Sequence, residues 1–371
     1  MKTSKIRLKP TKSQEILFRK CAGIHRFIYN WTLNRQNSNY QKEQPFISDS
    51  ELRKDITQLK KTDAFIWLNE VSNDIPKQAV KDACQAYKRF FKRQSQYPKF
   101  KSKKKSKPSF YNDTVKIKVS DKQVRLSKIG WVKTSEQLPM NTSFYNPRIT
   151  FDGKYWYLSV GYEIKIKPPK LKDKSLGIDL GIKSLAVCSD GHVFKNINKN
   201  HHVKKKEKRL RRLQRKVSRK YQYNKKGGTF VKTCNIIKIE KEIRLLQRTL
   251  SNIRQNHLHQ TTTSIVKTKP RRIVIEDLNV KGMMKNKHLS KATQKQGFYE
   301  FRRQLAYKCE WSGIELVIVD RFYPSSKMCS NCGNIKKDLK LSDRTYHCKC
   351  GCKMDRDLNA SINLSKYQSV A

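Results

Sequence analysis

The chain has 371 residues, 83 of them Lys or Arg against 30 Asp or Glu, for a formal net charge of +53. That length allows two or three compact units with cores of their own. A positive field of that strength needs a polyanion to neutralise it, so a long nucleic acid is the expected partner. No apolar run approaches the ~20 residues that span a bilayer, and the opening MKTSKIRLKPTKSQ has no apolar stretch able to act as a signal peptide. These features exclude a membrane partner and predict a cytosolic protein.

In chain order, KIRLK reads as a short strand. After Pro10 and Thr11, apolar residues at Ile16, Leu17, Ile24, Phe27, Ile28 and Trp31 follow helical spacing. A second helix is predicted from Pro76 to Arg93, with Val80, Ala83, Cys84, Tyr87 and Phe91 on one side. Lys77, Gln78, Lys81 and Lys88 are then free to face a partner. The run KFKSKKKSKPS ends this helical region in a basic loop. From Phe110 to Lys167 the texture changes to short strands, and FDGKYWY, with Asp-Gly between aromatic runs, marks a hairpin. A small β-barrel or sheet is expected, completed by the N-terminal strand, with KPPKLK from Lys167 as the linker out of it.

Beyond the linker, SLGIDLGIKSLAVCSDGHVFKN reads as two strands and a turn. Residues 203–260 form a helical hairpin around Gly227 and Gly228. Its second arm carries a heptad seam of Ile236, Ile239, Ile243, Leu246, Leu250 and Ile253. Leu210, Leu213 and Val217 begin a matching seam on the first arm, while the outer faces, crowded with Lys and Arg, either meet a phosphate backbone or are merely solvated. RRIVIEDLNV, FYEFRRQLAYKCEWSG and IELVIVD then give strand, helix and strand, so the second half is an α/β core with helical decoration.

Three acids interrupt that core. Asp179 breaks an apolar strand between Gly177 and Gly181, which leave room for a cation or another backbone; the bland alternative is a turn aspartate. Glu276 ends a buried strand, where open α/β sheets place active groups, and Asp277 would point the other way. Asp355 and Asp357 precede a helix that either could cap. Together they suit divalent ions and phosphodiester hydrolysis.

Five cysteines crowd into residues 329–352. Cys329 and Cys332 make one knuckle, and the other must come from Cys348, Cys350 and Cys352. A closed structural zinc site takes four ligands. Cys348 and Cys350 are favoured because Gly351 supplies turn freedom, with Cys352 or His347 as substitutes.

The order GIDLGI, VIEDLN, then SSKMCSNCG, CKCG and DRDLNASINL resembles the TnpB (OrfB) family, insertion-sequence-encoded RNA-guided nucleases related to type V CRISPR effectors. KIRLKPTKSQ, GIHRFIYNWTLNRQ and PKFKSKKKSKPSF extend the likeness over nearly the whole chain. The resemblance implies an α/β RuvC-like (RNase H-like) nuclease domain with helical and zinc-ribbon insertions, preceded by a β-barrel wedge domain carrying a helical recognition insertion. The implied boundaries are 1–12 for the first wedge strand, 13–100 for the recognition insertion and 101–172 for the rest of the wedge with its linker. The RuvC-like domain would span 173–324 with its hairpin at 201–260, the zinc ribbon 325–353 and the last RuvC segment 354–371.

Carried over by motif, Asp179, Glu276 and Asp357 match the magnesium-binding catalytic triad, with two Mg²⁺ ions implied, and Asp355 becomes a supporting or capping residue. Cys329, Cys332, Cys348 and Cys350 match the zinc ligands, the shortened second knuckle being the departure from the pattern. The implied activity is guide-directed DNA cleavage beside a transposon-adjacent motif, by a monomeric protein in a ribonucleoprotein with transposon-end guide RNA. It would act on double-stranded target DNA in a prokaryotic cytosol and associate with the nucleoid when bound to DNA. Lys77, Gln78, Lys81, Ser109 and Asn112 are candidates to touch the flanking motif. A cleavage-free RNA-guided repressor and a strand-transfer transposase are the competing functions.

Overall fold

The computed structural model describes residues 1–104, 106–164, 168–340 and 342–368. Lys105 of the basic loop, Lys167 of the expected linker, Leu341 of the expected ribbon and residues 369–371 of the expected last segment lie outside them. The chain divides into two compact units, Met1–Lys165 and Ile166–Ala371.

The first unit opens with strand β1 (Lys2–Lys9) and a 30-residue helix α1 (Lys12–Gln41). Thr11 starts that helix with a capping box, its hydroxyl accepting from Gln14 N while the Gln14 side chain accepts from Thr11 N. Helix α2 (Asp49–Leu59), a 3₁₀ segment (Asp63–Glu70) and α3 (Asp74–Phe91) follow. Among the described residues, six more strands follow in this unit: β2 (Ser109–Tyr111), β3 (Lys118–Ser120), β4 (Gln123–Leu126), β5 (Gly130–Thr134), β6 (Phe144–Phe151) and β7 (Trp156–Tyr162). They form an antiparallel seven-stranded sheet of order β2-β6-β7-β1-β5-β4-β3. As expected, the N-terminal strand lies inside this sheet, between β7 and β5, and the helices are inserted between β1 and β2. Phe18, Phe110 and Trp156 meet edge to face where helix and sheet share a core.

The second unit is built on five strands: β8 (Lys172–Leu180), β9 (Ser184–Cys188), β10 (Val193–Lys195) and, after the hairpin, β13 (Pro270–Glu276) and β14 (Glu315–Val319). The order is β10-β9-β8-β13-β14, with β8, β13 and β14 parallel and β9 and β10 antiparallel. The sequence suggested two strands before the hairpin; β10 is a third, three residues long with one exposed valine. Helix α4 (His201–Tyr223), the short pair β11 (Lys225–Lys226) and β12 (Thr229–Phe230), and α5 (Cys234–Lys267) form the hairpin. Helix α5 runs seven residues past the expected end at 260, because Thr261, Thr262 and Ile265 are buried and continue the helix into the core. Helices α6 (Val280–Lys285), α7 (Ser290–Gln296) and α8 (Phe298–Ser312) lie between β13 and β14; β15 (Thr345–His347), β16 (Lys353–Asp355) and α9 (Arg356–Ser365) follow β14.

The sheet's two faces are covered differently. Ile178, Leu180, Ile273 and Ile275 pack with Leu258 and Ile265 of α5 and Phe301 and Leu305 of α8. Val274 and Val319 pack with Leu364 of α9. Side chains alternate along a strand, so Gly177, Asp179 and Glu276 belong to the α9 face.

Candidate active site

Gly177 sets how closely α9 approaches. A Cβ at this position would lie 1.9 Å from the carbonyl oxygen of Ser361 and 2.4 Å from the amide nitrogen of Ser365. The room foreseen beside Asp179 is therefore filled by helix backbone. Two residues along β8, about 6.6 Å of strand, lead from Gly177 to Asp179. One helical turn back along α9, about 5.4 Å, leads from Ser361 to Asp357. The close contact thus directs Asp357 towards Asp179. Ile275 of β13 is in register with Ile178 of β8, which sets Glu276 beside Asp179.

All three acids are half-buried. Burial, followed by the charges of Asp357 and Glu276, pushes the Asp179 carboxyl up to about 7, with Arg356 working against them. Burial and then the charge of Asp277 also raise Glu276. Asp357 has a guanidinium nitrogen of Arg356 at 3.6 Å. The carboxylates do not close into one tight cluster; among the described residues, the group with metal-ligating atoms all within 4.8 Å of one another is a set of cysteines. Oxygen donors that repel one another across a partly dry site still fit hard divalent cations.

The neighbouring acids are used differently. Asp355 is the N-cap of α9, accepting from Asp357 N at 2.9 Å and Leu358 N at 3.2 Å. Asp277 faces the other way and accepts from Arg302 and Arg321, both at 2.8 Å. A cavity of about 280 Å³ lined by Leu180, Glu276, Tyr299, Arg302 and Arg321 opens beside Glu276.

The cysteines form the second centre. Cys329, Cys332, Cys348 and Cys350 bring their sulfurs together, with Cys329 to Cys350 at 3.7 Å and Cys332 to Cys348 at 3.5 Å. Four thiolates about 2.3 Å from a tetrahedral zinc would be about 3.8 Å apart, so the donor set fits that ion. Cys352 stands outside the four; its carbonyl accepts from Cys348 N, closing a knuckle in which Gly351 has φ of 82°. His347 instead lies on β15.

Two residues that the sequence reading missed fasten this element to α9. Asn359 donates to Met328 O at 2.7 Å and accepts from Ser330 N at 2.9 Å. Asn363 donates to Ser325 O and Met328 O, at 2.7 and 2.6 Å. Both are buried. Their signal was available: two asparagines four apart in a short amphipathic helix share a face, and a buried amide needs partners.

In the first unit, Lys77 and Lys81 are exposed on α3 and Ser109 is half-buried on β2. Gln78 donates to Asp82 at 2.9 Å. Asp82 also takes both nitrogens of Arg148 at 2.6 Å and lies 3.1 Å from His25. Burial alone would raise the Asp82 carboxyl, but hydrogen bonds from His25 and Arg148 hold it far below the usual range. Asn112 is only 3% exposed; its oxygen accepts from Ser127 N and its amide donates to Asp113 O. The structure therefore places Asn112 inside the scaffold rather than on a reading surface.

Comparison with known proteins gives a consistent identity. The chain is 30% identical over 377 residues to "Putative RNA-guided DNA endonuclease InsQ" of Escherichia coli (strain K12), covering 97% of this chain and 90% of that protein. It is 32% identical over 364 residues to a "Putative RNA-guided DNA endonuclease" of Streptomyces pristinaespiralis, covering 97% and 87%. The chain belongs to the TnpB (OrfB) family. Family models described as "Probable transposase" and "Cas12f1-like, TNB domain" match residues 159–287 and 298–364 of this TnpB-family chain. A "Helix-turn-helix domain" model matches residues 1–45, which here form a strand and one continuous helix. The fold is similar to that in a structure of the Cas12f1–sgRNA–target DNA complex, with a TM-score of 0.63 at 14% identity over 96% of this chain and 83% of that one. Among the described residues, no helix is long and apolar enough to cross a membrane.

Proposed function

We propose that this protein is an RNA-guided DNA endonuclease of a transposable element, cutting double-stranded target DNA beside a transposon-adjacent motif. The observation that carries the reading is that Asp179 and Glu276 share the face of the parallel strands covered by α9, the helix that bears Asp357 and is drawn onto β8 at Gly177. The names of the relatives support it. Asp179, Glu276 and Asp357 would hold two Mg²⁺ ions, which when bound supply charge stabilisation at the phosphodiester and ease ionisation of the attacking water. The chain's own part is to hold these carboxylates half-dry and apart from the paired Asp277. Cys329, Cys332, Cys348 and Cys350 would hold structural zinc, and Asn359 and Asn363 transmit that fixed loop to the helix bearing Asp357.

The seven-stranded sheet with its inserted helices would serve as wedge and recognition region. A cavity of about 930 Å³ in that unit, lined by Lys60, Lys61, Lys118, Arg125 and Lys128 among others, suits a phosphate backbone. Lys77, Lys81 and Ser109 remain available to touch the flanking motif, while Gln78 would first have to leave Asp82. The working particle would be a monomeric protein with one guide RNA in a prokaryotic cytosol.

The test is cleavage of a matched target within a library of flanking sequences by protein coexpressed with its transposon-end RNA, beside Asp179→Ala. Mg²⁺- and guide-dependent cutting lost in the variant supports the reading. Guide-dependent binding without cutting by either protein would replace it with a repressor, and strand joining without RNA would make it a transposase.

A further inference from the structure

The end of α3 carries an aromatic cluster that the proposed nuclease chemistry does not use. Tyr87 anchors it: the side chain is buried, its hydroxyl donates to Asn37 Oδ1 at 2.5 Å, and Tyr97 donates to the same oxygen at 2.6 Å. Phe91 lies roughly parallel to Tyr87, with centroids 6.3 Å apart and planes 23° apart. Phe46 meets both edge to face, and Phe90 meets Tyr97 at 83°. Packing of this kind normally buries its members. Here Phe91 is 64% exposed, Tyr97 47% and Phe46 42%. Contact with the buried Tyr87 holds Phe91, Tyr97 and Phe46, yet each stays substantially exposed.

Charge around the cluster selects what covers it. From Lys88 to Lys107 the sequence has no acidic residue, and Lys88, Arg89 and Lys92 are exposed beside the rings. Just past the helix, Arg93 has φ of 54°, an arginine where glycine is the easier choice. A second copy of this chain would set one such field against another, on a protein of net charge +53. Exposed aromatic rings beside cationic side chains suit unpaired nucleobases, which stack on aromatics while their phosphates meet the positive charge.

Tyr97 stands at 85° to Tyr87, so its plane crosses that of Phe91 and the two rings offer separate surfaces. We propose that the exposed ring of Phe91, with Tyr97 beside it, stacks an unpaired base of the protein's RNA. This rests on the RNA-binding part of the function proposed above. RNA is the occupant because splayed, single-stranded bases are the usual targets of protein aromatics in RNA, whereas bases of duplex DNA remain stacked.

The experiment uses the full-length protein. Binding of an oligouridylate of about 20 nucleotides, and of an RNA duplex of equal length, is measured for wild type, Phe91→Ala and Phe91→Tyr. Loss of a stacked base weakens binding roughly 5- to 150-fold. That loss is expected for Phe91→Ala on the single strand alone, with the salt dependence unchanged and Phe91→Tyr close to wild type. In parallel, the copurified ribonucleoprotein is irradiated with ultraviolet light and digested for mass spectrometry. An RNA adduct on the peptide holding Phe91 or Tyr97, formed before any DNA is added, is expected.

Equal losses on single strand and duplex, or no loss, overturn the proposal. So does an adduct that appears only with DNA. Self-association in sedimentation that Phe91→Ala abolishes would mark a protein interface instead. Binding of RNA that ignores Phe91 leaves the endonuclease reading standing, whereas failure of wild type to bind any RNA removes both.

Discussion

Gly177→Ala tests the contact on which the proposed site depends. The added methyl would lie 1.9 Å from Ser361 O, and an ordinary contact begins near 3.4 Å, so α9 must retreat by about 1.5 Å. The atoms it meets are helix backbone, which no rotamer change can move aside. Asp357 rides on that helix one turn away, while Asp179 stays with β8. Overpacking of this kind costs about 1–3 kcal/mol, and a reacting geometry displaced by 1 Å loses roughly 10²-fold in rate. The expected protein is folded, retains zinc and RNA, melts lower and cuts a matched target at least ~100-fold more slowly. Thermal melting, zinc content and single-turnover cleavage measured on one preparation separate these effects. Wild-type cleavage by a stable Gly177→Ala protein would refute the argument that backbone contact at Gly177 positions Asp357.

Three further outcomes are expected. Cys350→Ser should lose zinc with a loss of folding stability, whereas Cys352→Ser should keep one zinc per chain; equal retention by both would reassign the fourth ligand. Asn363→Ala leaves Ser325 O without its amide donor and Met328 O with Asn359 alone, and should cost about 1–3 kcal/mol and slow cleavage, whereas Asp277→Asn, on the opposite face, should cut within a few-fold of wild type. For pH, the Asp179 carboxyl is raised from 3.8 to about 7. Folding therefore favours its protonated form, and its contribution is fully present below pH 4 and lost as pH rises to about 7. The change is at most about 4 kcal/mol at 1.36 kcal/mol per unit. Denaturant titrations without Mg²⁺, on protein that keeps its zinc, should show this decline and Asp179→Asn should lack it; parallel pH profiles would sink the assignment.

The parts legible in the sequence are those whose signal is local. The Asp-Gly turn after Phe151, the helical period from Ile236 to Ile253 and the spacing of Cys329 to Cys350 each show within one short stretch of chain, and turn, helix and cysteine cluster are found where expected. Asp179 between glycines was conspicuous because a charge in an apolar strand needs a reason. What covers it was not, since the covering helix comes more than 170 residues later and glycine names no partner. Asn112 misled for a similar reason: a loop asparagine beside a basic run suggests a reader of base edges, yet its amide is spent on Ser127 and Asp113. The His25–Asp82–Arg148 network was illegible, because α1, α3 and β6 each contribute one member and nothing in any of them foretells the other two.

The distance in sequence between Gly177 and Ser361 also orders events in time. Both basic arms of the hairpin and the whole sheet of the first unit precede α9 along the chain, so they emerge and fold earlier during synthesis. Docking α9 on β8 closes one of the longest loops in the protein, and such closures come late. A nascent chain can therefore take hold of nucleic acid before its three carboxylates are assembled. Binding precedes the capacity to cut, and a chain interrupted before α9 would be a binder without the third acid.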